Sequence, residues 1–66
     1  MVKINGKDYD VSGMTIKEYL TSTEYKKELI ALERNEEIVS KAEYDNTVIE
    51  DGDIIEIVSF VGGGSL

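Results

Sequence analysis

The chain reads as a small α+β domain, one helix packed across a small mixed sheet, and three observations carry that reading. Short apolar runs alternate at the strand period near both ends, at Val2-Lys3-Ile4-Asn5 and over residues 53–61. A single helical signature, Thr15-Ile16-Lys17-Glu18, stands between them. Tight-turn dipeptides, Asn5-Gly6 and Asp51-Gly52, punctuate the apolar pieces.

Taken in order, Val2 and Ile4 start a strand and Asn5-Gly6-Lys7 turns it. Tyr9 and Val11 alternate across Asp10 as the returning strand of a hairpin. Thr15 can cap a helix and Glu18, three residues on, can reciprocate; Ile16, Tyr19 and Leu20 then share one helical face. Thr21-Ser22-Thr23 continues a helix poorly, and residues 24–27 fit either a further turn or a loop. Leu29-Ile30-Ala31-Leu32-Glu33-Arg34 is too short for a typical helix and suits a buried strand. Asn35-Glu36-Glu37 turns into the short apolar piece Ile38-Val39. Ser40 is placed to cap one short turn through Glu43, with Tyr44 folded inward, and Thr47-Val48-Ile49 reads as another short strand. The longest strand is expected over residues 53–61.

That last strand has two faces. Ile55, Ile57, Ser59 and Val61 share one; Ile54, Glu56, Val58 and Phe60 share the other. Burying Glu56 unpaired is costly, so its face belongs outside and Ile55 and Ile57 enter the core against Leu20 and Ile4. Ile54, Val58 and Phe60 then form an exposed apolar stripe, a candidate partner-docking surface with Phe60 as its anchor. The alternative is that Phe60 folds under a neighbouring loop.

Composition bounds the chemistry. With 66 residues there is one domain with a thin core. The chain has neither cysteine nor histidine, so it lacks a thiolate nucleophile, a neutral-pH imidazole base and a Cys/His metal site. Fourteen acidic against seven basic side chains leave a formal charge of −7, which disfavours nucleic acid and is compatible with a basic protein surface. No segment approaches a membrane helix and the N-terminus lacks a signal pattern, so no membrane partner and a cytoplasmic location are expected. Asp45, Asp51 and Asp53 with Gly52 hint at a calcium loop, but the alternating ligand spacing and distant glutamate are missing. Arg34 and Lys41 read as ordinary surface charges, Glu36-Glu37 as a solvated turn, and Tyr9, Tyr19 and Tyr44 as core or rim packing.

Phe60-Val61-Gly62-Gly63-Gly64-Ser65-Leu66 is the most distinctive segment. Glycine packs nothing and loses the most entropy on ordering, so such a run is not there for stability. It is either a frayed linker or a thread for a narrow site on another protein, where a Cβ would clash. Three extended glycines span roughly 10 Å. The expected organisation is a domain over residues 1–61 and a flexible tail over 62–66.

Together, Ile4-Asn5-Gly6-Lys7, Glu33-Arg34-Asn35-Glu36-Glu37-Ile38-Val39, and Asp51-Gly52-Asp53-Ile54-Ile55-Glu56-Ile57 running into the glycines resemble the ThiS-type sulfur carriers of thiamin biosynthesis, within the ubiquitin-like β-grasp family. The resemblance spans nearly the whole chain and implies a β-grasp fold and a protein substrate, not an enzyme. It implies that an adenylating, E1-like activating enzyme uses ATP on the C-terminal glycine carboxylate, with no cofactor bound to the carrier itself. A sulfur donor such as a cysteine desulfurase then yields a thiocarboxylate at Gly64, preceded by Gly62 and Gly63, and thiazole synthase accepts the sulfur. The molybdopterin-synthase small subunit looks similar but is usually longer, and a non-carrier ubiquitin-like binding module is the rival from another class. Ser65-Leu66 depart from the family's terminal glycine: while they stand, the Gly64 carbonyl is locked in a peptide bond. They are expected to be either foreign to the native chain or trimmed by a protease.

Overall fold

In the computed structural model, residues 1–60 are described, and they fold as a five-stranded mixed sheet crossed by one helix. The strands are β1 (Val2–Ile4), β2 (Lys7–Tyr9), β3 (Ile30–Arg34), β4 (Glu37–Ile38) and β5 (Ile54–Ser59), in the order β2-β1-β5-β3-β4. The first and last strands of the chain thus lie side by side at the centre. They run parallel, with Lys3 opposite Ile54 and Ile4 opposite Ile55, while β3 pairs antiparallel with the other edge of β5.

Both hairpins turn on two residues with positive φ, Asn5-Gly6 at 51° and 85° and Asn35-Glu36 at 53° and 74°. That backbone twist matches the twist of paired strands. Lys7 is therefore already in β2 and not in the turn, and β2 ends at Tyr9, so Val11 packs against the core from outside the strand.

The helix α1 (Ile16–Thr21) begins as its sequence dictates. Thr15 Oγ1 accepts from the Glu18 N–H at 3.0 Å and Glu18 Oε1 accepts from the Thr15 N–H at 2.9 Å, a complete capping box. The two preceding helical N–H groups are also satisfied: Ile16 donates to the Thr47 carbonyl and Lys17 to the Tyr44 carbonyl. The Thr21, Ser22 and Thr23 hydroxyls turn back onto the carbonyls of Lys17, Tyr19 and Leu20, competing with helix propagation where the helix stops.

The core is Val2, Ile4, Ile16, Tyr19, Leu20, Ile30, Leu32, Tyr44, Ile49, Ile55 and Ile57. Ile55 and Ile57 point into it, and Tyr44 folds inward from the turn that follows Lys41–Glu43. Ser40 makes no side-chain cap there. The 24–27 stretch is a loop leading into a single 3-10 turn at Lys27–Leu29.

Three further expectations are corrected. Thr47-Val48-Ile49 is not a strand: it forms one isolated bridge, Thr15 to Val48, and spends its other backbone groups on the helix entry. Ile49 exchanges hydrogen bonds with Gly13 and Met14, and its side chain supplies the burial that the apolar triplet signalled. The long strand is shorter than residues 53–61, because Asp53 precedes it as a buried polar anchor; Val61 lies outside the described residues. Arg34 and Lys41 are not idle surface charges, since Arg34 is paired with Asp53 and Lys41 Nζ donates to the Ile30 carbonyl at 3.2 Å.

Candidate docking face and the strand that leads to the tail

Because β5 is central, its backbone is gripped from both sides, and two turn asparagines add to the grip. Asn5 extends the β1 edge: its side-chain amide donates to the Ile57 carbonyl at 3.2 Å, and its Oδ1 accepts from the Ile57 N–H at 2.8 Å. Asn35 works at the start of the strand, accepting from the Ile54 N–H at 2.9 Å and donating from Nδ2 to Asp53 Oδ1 at 3.0 Å. The Phe60 N–H bonds to the Leu29 carbonyl, so backbone pairing continues to the last described residue. Residues that read from sequence as plain turn formers thus fix the strand from which the glycines follow. The signal was available in part, since asparagine is a turn residue whose side chain also bonds backbone.

Asp53 is buried at 6% exposure. Burial pushes its carboxyl up, but the Glu50 N–H, the Asn35 amide and the Arg34 guanidinium together outweigh this and hold it below the usual carboxylate range. With its oxygens committed, Asp53 has no role as a calcium ligand, and Asp45 and Asp51 are exposed elsewhere. No cluster of metal-ligating side chains is present among the described residues.

The sheet face turned away from the helix carries the predicted stripe. Ile54, Val58 and Phe60 are 53%, 58% and 47% exposed, so no loop covers Phe60. Ala31 lies opposite Val58 and Ile38 opposite Glu33, which widens the apolar area across β3 and β4. Glu33 and Glu56 face one another on the same surface, and Glu36 borders a shallow depression with them and Ile54. The face is apolar and anionic, able to bury hydrocarbon against a partner and accept cations at its centre. Gly62, Gly63 and Gly64, the other residues singled out from sequence, lie outside the described residues.

Residues 2–64 match the model of the ThiS family. The chain belongs to that family. Over 66 residues it is 41% identical to the sulfur carrier protein ThiS of Bacillus subtilis (strain 168), an alignment taking in 97% of this chain and all of that one. The crystal structure of the thiamine biosynthesis protein ThiS from Geobacter metallireducens superposes with a TM-score of 0.79 at 30% identity, covering 96% of this chain and 97% of the other. A thiazole synthase of Paramagnetospirillum magneticum (strain ATCC 700264 / AMB-1) is 43% identical over 63 residues, 94% of this chain but only 19% of the synthase. The β-grasp expectation therefore holds, and as a ThiS family member the protein is a sulfur carrier and not a catalyst.

Proposed function

We propose that this ThiS family member carries sulfur as a thiocarboxylate on Gly64 and delivers it to a thiazole synthase in thiamin biosynthesis. The observation that carries the reading is the arrangement around β5: a doubly paired central strand feeds directly into the glycine segment, and its exposed side chains make the apolar face beside it. In this reading residues 1–61 are the body and 62–66 the thread, and glycine is used because only a side-chain-free backbone passes a narrow channel. The thiazole synthase that contains a segment resembling this chain supports that partner over a molybdopterin-synthase subunit.

The chemistry assigns the remaining partners. A carboxylate is a poor electrophile; an adenylating enzyme joins it to the α-phosphate of ATP and releases pyrophosphate. A persulfide-bearing donor, the product of a desulfurase, then displaces AMP through its outer sulfur, and a thiol reductant cleaves the S–S bond of the resulting acyl disulfide to leave the thiocarboxylate. The carrier contributes the carboxylate, the reach of its tail, and the Ile54, Val58 and Phe60 face on which both partners seat. Its place of work is the cytoplasm. A free carboxylate on Gly64 is required, so Ser65-Leu66 must be absent from the working form.

Intact mass spectrometry tests this. A chain ending at Gly64, incubated with ATP, an activating enzyme and a sulfur donor, should gain the mass of one sulfur-for-oxygen exchange, and a chain ending at Leu66 should not. An unchanged mass for the Gly64 form under conditions that load a ThiS control would overturn the proposal.

A further inference from the structure

Asn5 does two things at once. Its backbone sits at a φ of 51°, in the left-handed region that opens the turn into β2, a conformation asparagine visits more readily than most residues with a side chain. The main chain therefore leaves β1 just after Ile4, whose pairing opposite Ile55 ends the β1–β5 register. The Asn5 N–H still reaches the Ile55 carbonyl at 2.9 Å. Beyond it the carboxamide stands in for a peptide unit, Oδ1 accepting from the Ile57 N–H and Nδ2 donating to the Ile57 carbonyl. The hydrogen-bond ladder on that edge of β5 thus runs on past the point where β1 stops.

Ile57 lies near the end of β5, where the chain passes on to the glycines. On its other edge β5 is paired with β3 as far as Ser59, and the Phe60 N–H bonds to the Leu29 carbonyl. Without the Asn5 side chain, the stretch after Ile55 would be gripped from the β3 side alone. Two-stranded ribbons twist more than strands fixed on both edges. Val58 would keep its place opposite Ala31, and with it the exposed face, while the direction in which the strand ends would change. A thread drawn out in a narrow channel has no slack, so a root displaced by an ångström displaces its far end by as much. Misplacement on that scale costs a reacting group up to about a hundredfold in rate.

We infer that Asn5 is a positioning residue for activation of the tail: its carboxamide sets the direction in which β5 delivers the glycines, and so where the Gly64 carboxylate meets the α-phosphate of ATP. This rests on the carrier function proposed above. Asn5 touches neither nucleotide nor carboxylate; it acts through the backbone of Ile57.

Asn5→Gly tests it, because glycine adopts the same φ and removes only the carboxamide. Thr15→Ala is the control for lost stability: it deletes the helix cap, away from β5, and should lower Tm by roughly 4–8 °C, an amount similar to Asn5→Gly. Chains ending at Gly64 are compared by ATP–pyrophosphate exchange, well below every Tm, with an activating enzyme that loads a ThiS control. Asn5→Gly should lower kcat about tenfold with KM for the carrier within about twofold, and Thr15→Ala should leave both at wild-type values. In the full 66-residue chain, amide exchange at Ile57 should be at least about tenfold faster in Asn5→Gly than in Thr15→Ala. A kcat within about twofold of wild type, an equal fall in Thr15→Ala, a change confined to KM, or Ile57 exchange no faster than in the control would each overturn the assignment. A wild-type chain left unadenylated while the ThiS control is loaded would instead overturn the carrier function, and this inference with it.

Discussion

Arg34 Nε donates to Asp53 Oδ2 at 2.8 Å, joining the end of β3 to the residue that launches β5. The Glu50 N–H shares the same oxygen and the Asn35 amide takes the other, so one buried carboxylate ties together two strands and the preceding turn. Removing one member of such a group leaves the others desolvated and unpaired. Asp53→Ala should cost about 2–4 kcal/mol, somewhat under the range for a fully buried pair because Arg34 keeps 25% exposure. For a domain this small that lowers Tm by roughly 15–30 °C. The pH dependence has a definite sign. The folded carboxyl titrates below its unfolded value, so its stabilisation is complete above about pH 4 and fades as pH falls through the lower folded value. Thermal melts of wild type and Asp53→Asn should therefore differ most near neutrality and converge in acid. A gap that stays constant down to the acid limit would show that the carboxylate charge is not what holds the junction.

Phe60 and Val58 contribute little to the fold, since about half of each side chain is already in water. Phe60→Ala and Val58→Asp should leave Tm within a few degrees of wild type. On the proposed function, each should weaken binding to the activating enzyme and the synthase by tenfold or more, the scale of an interface anchor. Paired melting and binding measurements decide it. A large fall in Tm for Phe60→Ala would return that ring to the core.

Local chemistry was legible in the sequence and long-range pairing was not. The capping box at Thr15 and Glu18 and the period-two alternation of β5 are short-range rules, and Glu56 alone decided which face of β5 looks outward. The triplet Thr47-Val48-Ile49 misled because β-branched residues satisfy both strand propensity and simple burial; only the neighbouring helix end shows where its carbonyl goes. Arg34 misled for a different reason. Its partner is 19 residues away, and nothing local separates a charge that will be paired under the sheet from one left in solvent. The central parallel placement of β1 beside β5 was likewise beyond reach, because parallel partners carry no turn signal between them.

Glu36 is the one non-asparagine residue among those described that holds positive φ without being glycine, at 74°. A Cβ in this region costs roughly 1–2 kcal/mol, against roughly 0.5–1 kcal/mol for the extra chain freedom that glycine must lose. The first term is larger, and the exposed Glu36 side chain makes no hydrogen bond that would be forfeited among the described residues. Glu36→Gly should therefore stabilise by about 0.5–1 kcal/mol and raise Tm by a few degrees. Denaturant melts should show a higher midpoint at unchanged slope; a lower midpoint would mean that Glu36 contributes contacts exceeding its backbone strain.

Glu33 and Glu56 are directly opposed across β3 and β5, and like charges in that register repel. Both carboxylates lie on the exposed sheet face, so the free protein keeps a repulsion it could lose by a single substitution. Glu56→Gln removes one charge while preserving shape, and should stabilise the free domain by no more than about 1 kcal/mol. The gain should shrink as salt rises, because exposed charges a few ångströms apart are screened. If the face docks on a basic partner surface, the same variant should bind that partner more slowly, with the loss concentrated in the association rate and largest at low ionic strength. Stopped-flow association at two salt concentrations separates the outcomes: a stabilised variant with unchanged association would assign the pair no part in partner capture, whereas a stabilised variant with slowed association would show stability held back in favour of recognition.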